Sequence, residues 1–243
     1  MDSPYQQDLA WVHHVGYSHH VERAFPGILK LLRDAGLATG ARVLDVGCGS
    51  GLLAQKLLAA GFEVHGVDAS AAMIELARNH ARAGRFEVLR LPTGAERALP
   101  EADAVVSTGH VLNYLDSRDD IAGALAELAG AVRPGGVLAI DLMIDEKRKA
   151  PDEPEVHARV ADDWAIYTRF TRPAPGRLDR VITVFRRVGE GWRRSDETHR
   201  NLSFGTDDAL RLLRASGIDA VCRPAFGDEK LPADLIVLTG IRR

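Results

Sequence analysis

The chain has 243 residues, 46% of them hydrophobic, which suits one domain with a full core. Its 31 Lys and Arg against 34 Asp and Glu leave a net charge of −3, so there is no basic excess to neutralise a phosphate backbone, and nucleic acid is excluded as the expected partner. No apolar run approaches the ~20 residues of a membrane span, the N-terminus "MDSPYQQDLA" lacks a leader pattern, and Cys48 and Cys222 have no metal-type spacing. A soluble cytoplasmic protein with a small-molecule partner is expected.

The N-terminal segment is rich in rings: Tyr5, Trp11, His13, His14, Tyr17, His19 and His20. Its paired histidines lack a supporting carboxylate or cysteine cluster at ligand spacing, and no metal is expected. Residues 20–36 predict an amphipathic helix, with Pro26 implying a break or kink. Short β-rich runs then alternate with helical stretches. The runs are 42–46, 62–67, 85–90, 103–107 and 137–142; the helices are 51–60, 70–83 and 118–132. Such alternation means βαβ units, a parallel sheet and helices on both faces.

The charged, proline-bearing stretch "DEKRKAPDEPE" over 145–155 reads as a break. Beyond it the period changes to two, predicting an antiparallel meander of about three strands over 162–172, 177–188 and 191–204. Thr206 is the expected N-cap of a helix reaching Ser216 and closed by Gly217, with Asp207 and Asp208 favourably placed against its dipole. Two strands near 218–224 and 234–241 finish the chain.

The stretch "VLDVGCGSG" ends a predicted strand, and Asp45, Gly47, Gly49 and Gly51 stand in it at two-residue intervals. A dinucleotide fingerprint would need glycine at position 52, which is Leu, and Asp45 would repel a pyrophosphate. A cationic ligand group would suit Asp45. Asp68 ends the next strand, where a carboxylate can accept from both hydroxyls of a ribose. An amino acid's ammonium at one acid and a ribose at the other describe S-adenosylmethionine better than a nicotinamide dinucleotide.

These residues resemble motif I of the class I S-adenosylmethionine-dependent methyltransferases. "HGVDAS" resembles their ribose-binding motif, and "AVRPGGVLAIDLM" at 131–143 resembles their loop and fifth strand. The resemblance implies a Rossmann-like seven-stranded sheet with one antiparallel strand, an antiparallel β insertion after strand five, and S-adenosylhomocysteine as the product. It divides the chain into an N-terminal helical lid (1–36), a cofactor-binding core (37–144 and 205–243) and an insertion roofing the substrate pocket (145–204). Cofactor contacts are expected from Tyr5, Tyr17, Asp45, Gly47, Cys48, Gly49, Gly51, Asp68, Ala69, Met73, Leu91 and Thr108. The family's frequent acidic residue after strand three is replaced here by Arg90 and Leu91.

The chemistry is expected beyond strand four, in "STGHVLNYL". His110 is the candidate general base or a hydrogen-bonding group, with Asn113, Tyr114 and Tyr17 beside it. Trp164, Tyr167, Phe170, His199 and Arg200 are candidate pocket walls, about half of which should face away by strand alternation. The insertion's arginines would either bind an anionic substrate group or form a solvated face, and its edge strand could support a homodimer. The expected activity is methyl transfer to N or O of a small metabolite. Non-methylating sulfonium chemistry and a catalytically silent cofactor-binding regulator are the alternatives.

Overall fold

The computed structural model describes residues 4–94, 97–144 and 155–243. The predicted break over 145–155 therefore lies, except for Glu155, outside the described residues. The chain opens with α1 (Gln7–Gly16) and α2 (His19–Asp34). It then alternates through β1 (Arg42–Val46), α3 (Leu52–Ala59), β2 (Glu63–Asp68), α4 (Ala71–His80) and β3 (Arg85–Val88). Next come β4 (Ala102–Ser107), a 3₁₀ turn (Val111–Tyr114), α5 (Arg118–Ala131) and β5 (Val132–Met143). The insertion holds β6 (Glu155–Val160), β7 (Trp164–Thr171), β8 (Arg177–Val188) and β9 (Gly191–Leu202). The chain ends with α6 (Thr206–Ala215), β10 (Ile218–Arg223) and β11 (Leu235–Arg242).

The seven-stranded sheet has the order β10-β11-β5-β4-β1-β2-β3, and β11 alone runs against its neighbours. The fold is thus the expected Rossmann-like one. Strand order reverses between β1 and β4, which pair in parallel from Val43 opposite Ala104, and this reversal opens a crevice beyond their carboxyl ends. One face is closed by α5 and α6, whose Ile121, Leu125, Leu128 and Leu213 pack on Leu44, Val105 and Ile140. The other is closed by α2, α3 and α4, with Ile28, Leu32, Leu57 and Ile74 over Val43, Val64 and Val106. Burial of strands on both faces explains their continuous apolar runs.

Three local expectations change. Helix α2 continues through Pro26, so of the expected break or kink there is no break; its apolar face, packed on the sheet through Val21, Ala24, Ile28 and Leu32, offsets the lost hydrogen bond and the ring's crowding of the preceding turn. Gly205, not Thr206, is the N-cap of α6, although Asp207 and Asp208 do occupy its first turn. The insertion has four strands, because β6, exposed along its whole length, has too little apolar alternation to announce itself.

The insertion's inner face packs on α1, where Trp164, Ile166, Ile182 and Val184 meet Leu9 and Val12. Asp8 of α1 is 5% exposed and pairs with both Arg186 and Arg193. Burial opposes its ionisation, but these guanidiniums hold its carboxyl below the usual range. Among the described residues no helix is long and apolar enough to cross a membrane.

Candidate active site

A cavity of about 660 Å³ lies at the carboxyl edge of the large sheet, at the reversal between β1 and β4. Its floor is the β1–α3 loop. Gly47, Gly49 and Gly51 all have positive φ, and a Cβ on Gly47 would come within 2.2 Å of Val111, so only glycine fits there. The loop's N–H groups are already committed: Gly47 (2.7 Å) and Cys48 (3.0 Å) donate to the Val67 carbonyl, Gly49 to Asp68 Oδ2 (2.9 Å) and Gly51 to the Cys48 carbonyl (3.0 Å). These four bonds turn the glycine N–H groups away from an incoming phosphate. What the loop does offer is Asp45, 1% exposed at the end of β1, whose Oδ2 is buried with no partner. Burial, then the nearby Asp68, push its carboxyl up to about 7.

Asp68 closes β2. Its oxygens accept from the N–H groups of Ser70 (2.8 Å) and Gly49 (2.9 Å), and each keeps a lone pair for a hydroxyl. Burial raises its pKa, and those backbone bonds restrain the rise. Ala69, Met73, Leu91, Thr108, Tyr5 and Tyr17 line the same cavity with Gly47, Cys48 and Gly49. Gly51 does not. It packs against Ala77 of α4 and starts α3, so its place in the pattern is architectural.

Beyond β4, Asp141 of β5 accepts from the N–H groups of Gly109 (2.8 Å) and His110 (2.7 Å) and fixes the turn that aims His110 inward. Burial pushes Asp141 up to about 6. His110 takes a positive φ of 47°, and its Nδ1 is buried without a partner. Burial, assisted by Arg180 and His20, pushes its imidazole down to about 3. His13 of α1 is likewise held near 3, by burial first. Both rings are therefore neutral acceptors at physiological pH.

The other predicted residues sort differently. Tyr114 lines the cavity, and its hydroxyl lies 3.0 Å from that of Tyr5. Asn113, expected beside His110, points away from the cavity and is fully buried, bonding the backbone of Met143 and Leu202. Trp164 packs in the α1 cluster rather than on the cavity. His199 is also off the wall, held by Glu197 (2.9 Å) with its ring 4.9 Å from Tyr5. Tyr167 and Arg200 are exposed on the outer phase of their strands, and Phe170 meets His157. None of the five predicted walls lines the cavity, whereas His110 does.

Two contributions escaped the sequence pattern. Arg180 of β8 reaches the cavity and bonds the Tyr114 hydroxyl; the signal was its spacing from Ile182 and Val184, which puts it on the inner phase. The β10–β11 loop supplies Phe226, Glu229, Lys230 and Leu231, which carry no pattern of their own. Among the described residues no three His, Cys, Asp or Glu groups are arranged to hold a metal.

Comparison with known proteins adds to this geometry. A family model described as "Methyltransferase domain" matches residues 43–136. A ubiquinone biosynthesis O-methyltransferase of Methylocella silvestris is 36% identical over 180 residues, covering 67% of this chain and 68% of that protein. The sugar N-methyltransferase KedS8 from Streptoalloteichus superposes with a TM-score of 0.79 at 17% identity, over 100% of this chain and 96% of that one. CalS10 of Micromonospora echinaspora, an amino pentose methyltransferase solved with S-adenosylmethionine, gives 0.75 at 21% identity, over 100% and 99%. At such identities the structural likeness speaks for the fold, and the sequence relationship for descent. With its glycine-loop cavity and these relatives, the chain belongs to the class I S-adenosylmethionine-dependent methyltransferases.

Proposed function

We propose that this chain moves the methyl group of S-adenosylmethionine to a nitrogen or oxygen of a small metabolite, within the cavity at the β1–β4 reversal. One observation carries the assignment of the donor's place: Asp45 Oδ2 is buried and unpartnered, while the N–H groups of Gly47, Cys48, Gly49 and Gly51 are committed internally. A pyrophosphate there would meet an acid, and none of these four donors. An ammonium would meet the acceptor it needs.

On this reading Asp45 receives the ammonium and Asp68 the ribose hydroxyls. The backbone of Gly47, Cys48 and Gly49 follows the methionine part, and Ala69, Met73 and Leu91 make the apolar bed of the adenine. Thr108 and the faces of Tyr5 and Tyr17 border the sulfonium, where cation–π attraction favours the charge. When bound, the cofactor supplies an electrophilic methyl carbon. The chain's own work is to hold the acceptor in line, exclude water and take up a hydrogen bond from the nucleophile. His110, neutral with a free Nδ1, suits that last role; an imidazole near 3 is a poor store for a proton, so it orients more than it deprotonates. The N-terminal helical segment acts as the lid and the insertion as the roof. The relatives' names, an O-methyltransferase of ubiquinone biosynthesis and N-methyltransferases of sugars, support a small acceptor methylated at O or N.

Calorimetry tests the reading. S-adenosylhomocysteine should bind, Asp68→Ala should weaken it about 10–100-fold, and His110→Ala should leave that binding within about twofold while slowing transfer about 10–100-fold. Binding of NADH in its place would overturn the proposal.

A further inference from the structure

The insertion carries several arginines, and they differ in one respect. Arg186 and Arg193 share the carboxylate of Asp8, and Arg177 pairs with Asp179. Arg180 has no such partner. It stands on β8 opposite His199 of β9, partly buried and facing the cavity. Its Nη2 donates to the Tyr114 hydroxyl and to Asn201 Oδ1 (2.9 Å), both neutral, and its Nε is buried with no acceptor. The side chains nearest it are the hydroxyls of Tyr114 and Tyr5 and the rings of His13, His110 and His199; burial raises the pKa of the Tyr5 hydroxyl and lowers those of the three imidazoles.

The cavity's carboxylates are accounted for elsewhere. Asp141 receives the N–H groups of Gly109 and His110, and Glu229 those of Phe226 and Gly227. Asp45 and Asp68 belong to the donor's end. A guanidinium withdrawn from water without an anion is costly; its Nε–H has no acceptor, and Nη2 completes a planar two-donor edge with it for two oxygens of one group once an entering anion displaces the Tyr114 or Asn201 contact. Arg23 of α2 and Lys230 of the β10–β11 loop also border the cavity, so its field toward an entering ligand gains further positive charge.

We propose that the methyl acceptor carries an oxyanion, a carboxylate or a phosphate, and that Arg180 is the residue that receives it. This rests on the methyltransferase reading above and deepens it by naming a charge on the acceptor. Binding of the anion would also offset one of the charges that keep His110 and His13 from taking a proton, so the ring beside the nucleophile becomes more basic when the correct acceptor is in place.

The test uses the whole chain saturated with S-adenosylhomocysteine and three probes: acetate, inorganic phosphate and, as the neutral match, acetamide. The expected result is binding of acetate or of phosphate, with acetamide at least about tenfold weaker; which anion binds separates the two sources. Arg180→Met should weaken that anion about 10–100-fold and leave S-adenosylhomocysteine affinity within about threefold. Should Arg180→Met fail to fold, Arg180→Lys serves, with an expected loss of about tenfold because the charge stays and the fork is lost. Equal binding of the anions and acetamide, or unchanged anion affinity in the folded variant, overturns the proposal. Failure of S-adenosylhomocysteine to bind the wild-type chain would instead sink the donor assignment.

Discussion

A carboxylate sealed in protein with one oxygen unbonded is an unstable arrangement, and Asp45 resolves it by keeping its proton to a higher pH than usual. Its pKa in the folded chain, about 7, stands above the unfolded value, so the ionised acid destabilises the ligand-free fold. Stability from this residue is therefore full at low pH and is lost as pH rises between about 4 and 7. A cationic partner reverses the preference. The affinity for S-adenosylhomocysteine should climb as pH rises through about 7 and then level off, with Asp45→Asn flattening the climb and lowering the plateau; calorimetry between about pH 5.5 and 8 reads both. Asp141, pushed up to about 6 by burial, adds a component at lower pH that the variant leaves in place. A flat profile in the wild-type chain would remove Asp45 from the site.

At the scale of single elements, the 3₁₀ turn Val111–Tyr114 shows how neighbours in sequence divide their work. Tyr114 faces the cavity, whereas Asn113 turns its amide into the backbone of two strands: it accepts from Met143 N–H (2.7 Å) and donates to the carbonyls of Met143 (3.0 Å) and Leu202 (2.5 Å). Removing it takes a partner from three backbone groups, of which the Met143 carbonyl keeps the Phe204 N–H (3.0 Å). Asn113→Ala should cost about 2–4 kcal/mol and lower Tm by roughly 5–15 °C in a thermal melt, with little effect on S-adenosylhomocysteine affinity if the variant is measured folded.

The same turn explains which parts of the molecule were legible beforehand. Asp45, the glycines and Asp68 were readable because strand ends and loop spacing are local, and local chemistry fixes them. The walls were not, since Trp164 and His199 are decided by whichever element packs over them, and α1 covers the inner face that the strands alone leave open. Arg180 follows the same logic in reverse: its alternation with Ile182 and Val184 was visible, but its lack of a partner is a fact of three dimensions. Gly51 misled by fitting a pattern whose third glycine serves helix packing. Strand β6 was missed because an exposed edge strand needs no apolar face.

On the scale of the whole chain, the two apolar layers that stabilise the large sheet stand on its faces, while the cavity sits at its edge, where Arg180 of the separate four-stranded sheet joins the lining. The stretch before α1 bridges the two. Glu197 of the insertion accepts from the N–H groups of Tyr5 (2.8 Å) and Gln6 (2.9 Å), Ser70 of the core donates to the Tyr5 carbonyl (2.6 Å), and the Tyr5 hydroxyl meets that of Tyr114 (3.0 Å). Hydrogen exchange at the Tyr5 and Gln6 amides should be slowed in the wild-type chain and quickened about tenfold or more by Glu197→Gln, since a charged acceptor becomes a neutral one.

Those four bonds set a latch whose strength can be counted. At about 0.5–1.5 kcal/mol each they favour the shut form by about 2–6 kcal/mol, leaving the unlatched population at a few per cent or less. With this stretch as part of the proposed lid, the spent donor leaves through that minority, and the traffic of molecules in and out, rather than the transfer itself, is where the brake would fall.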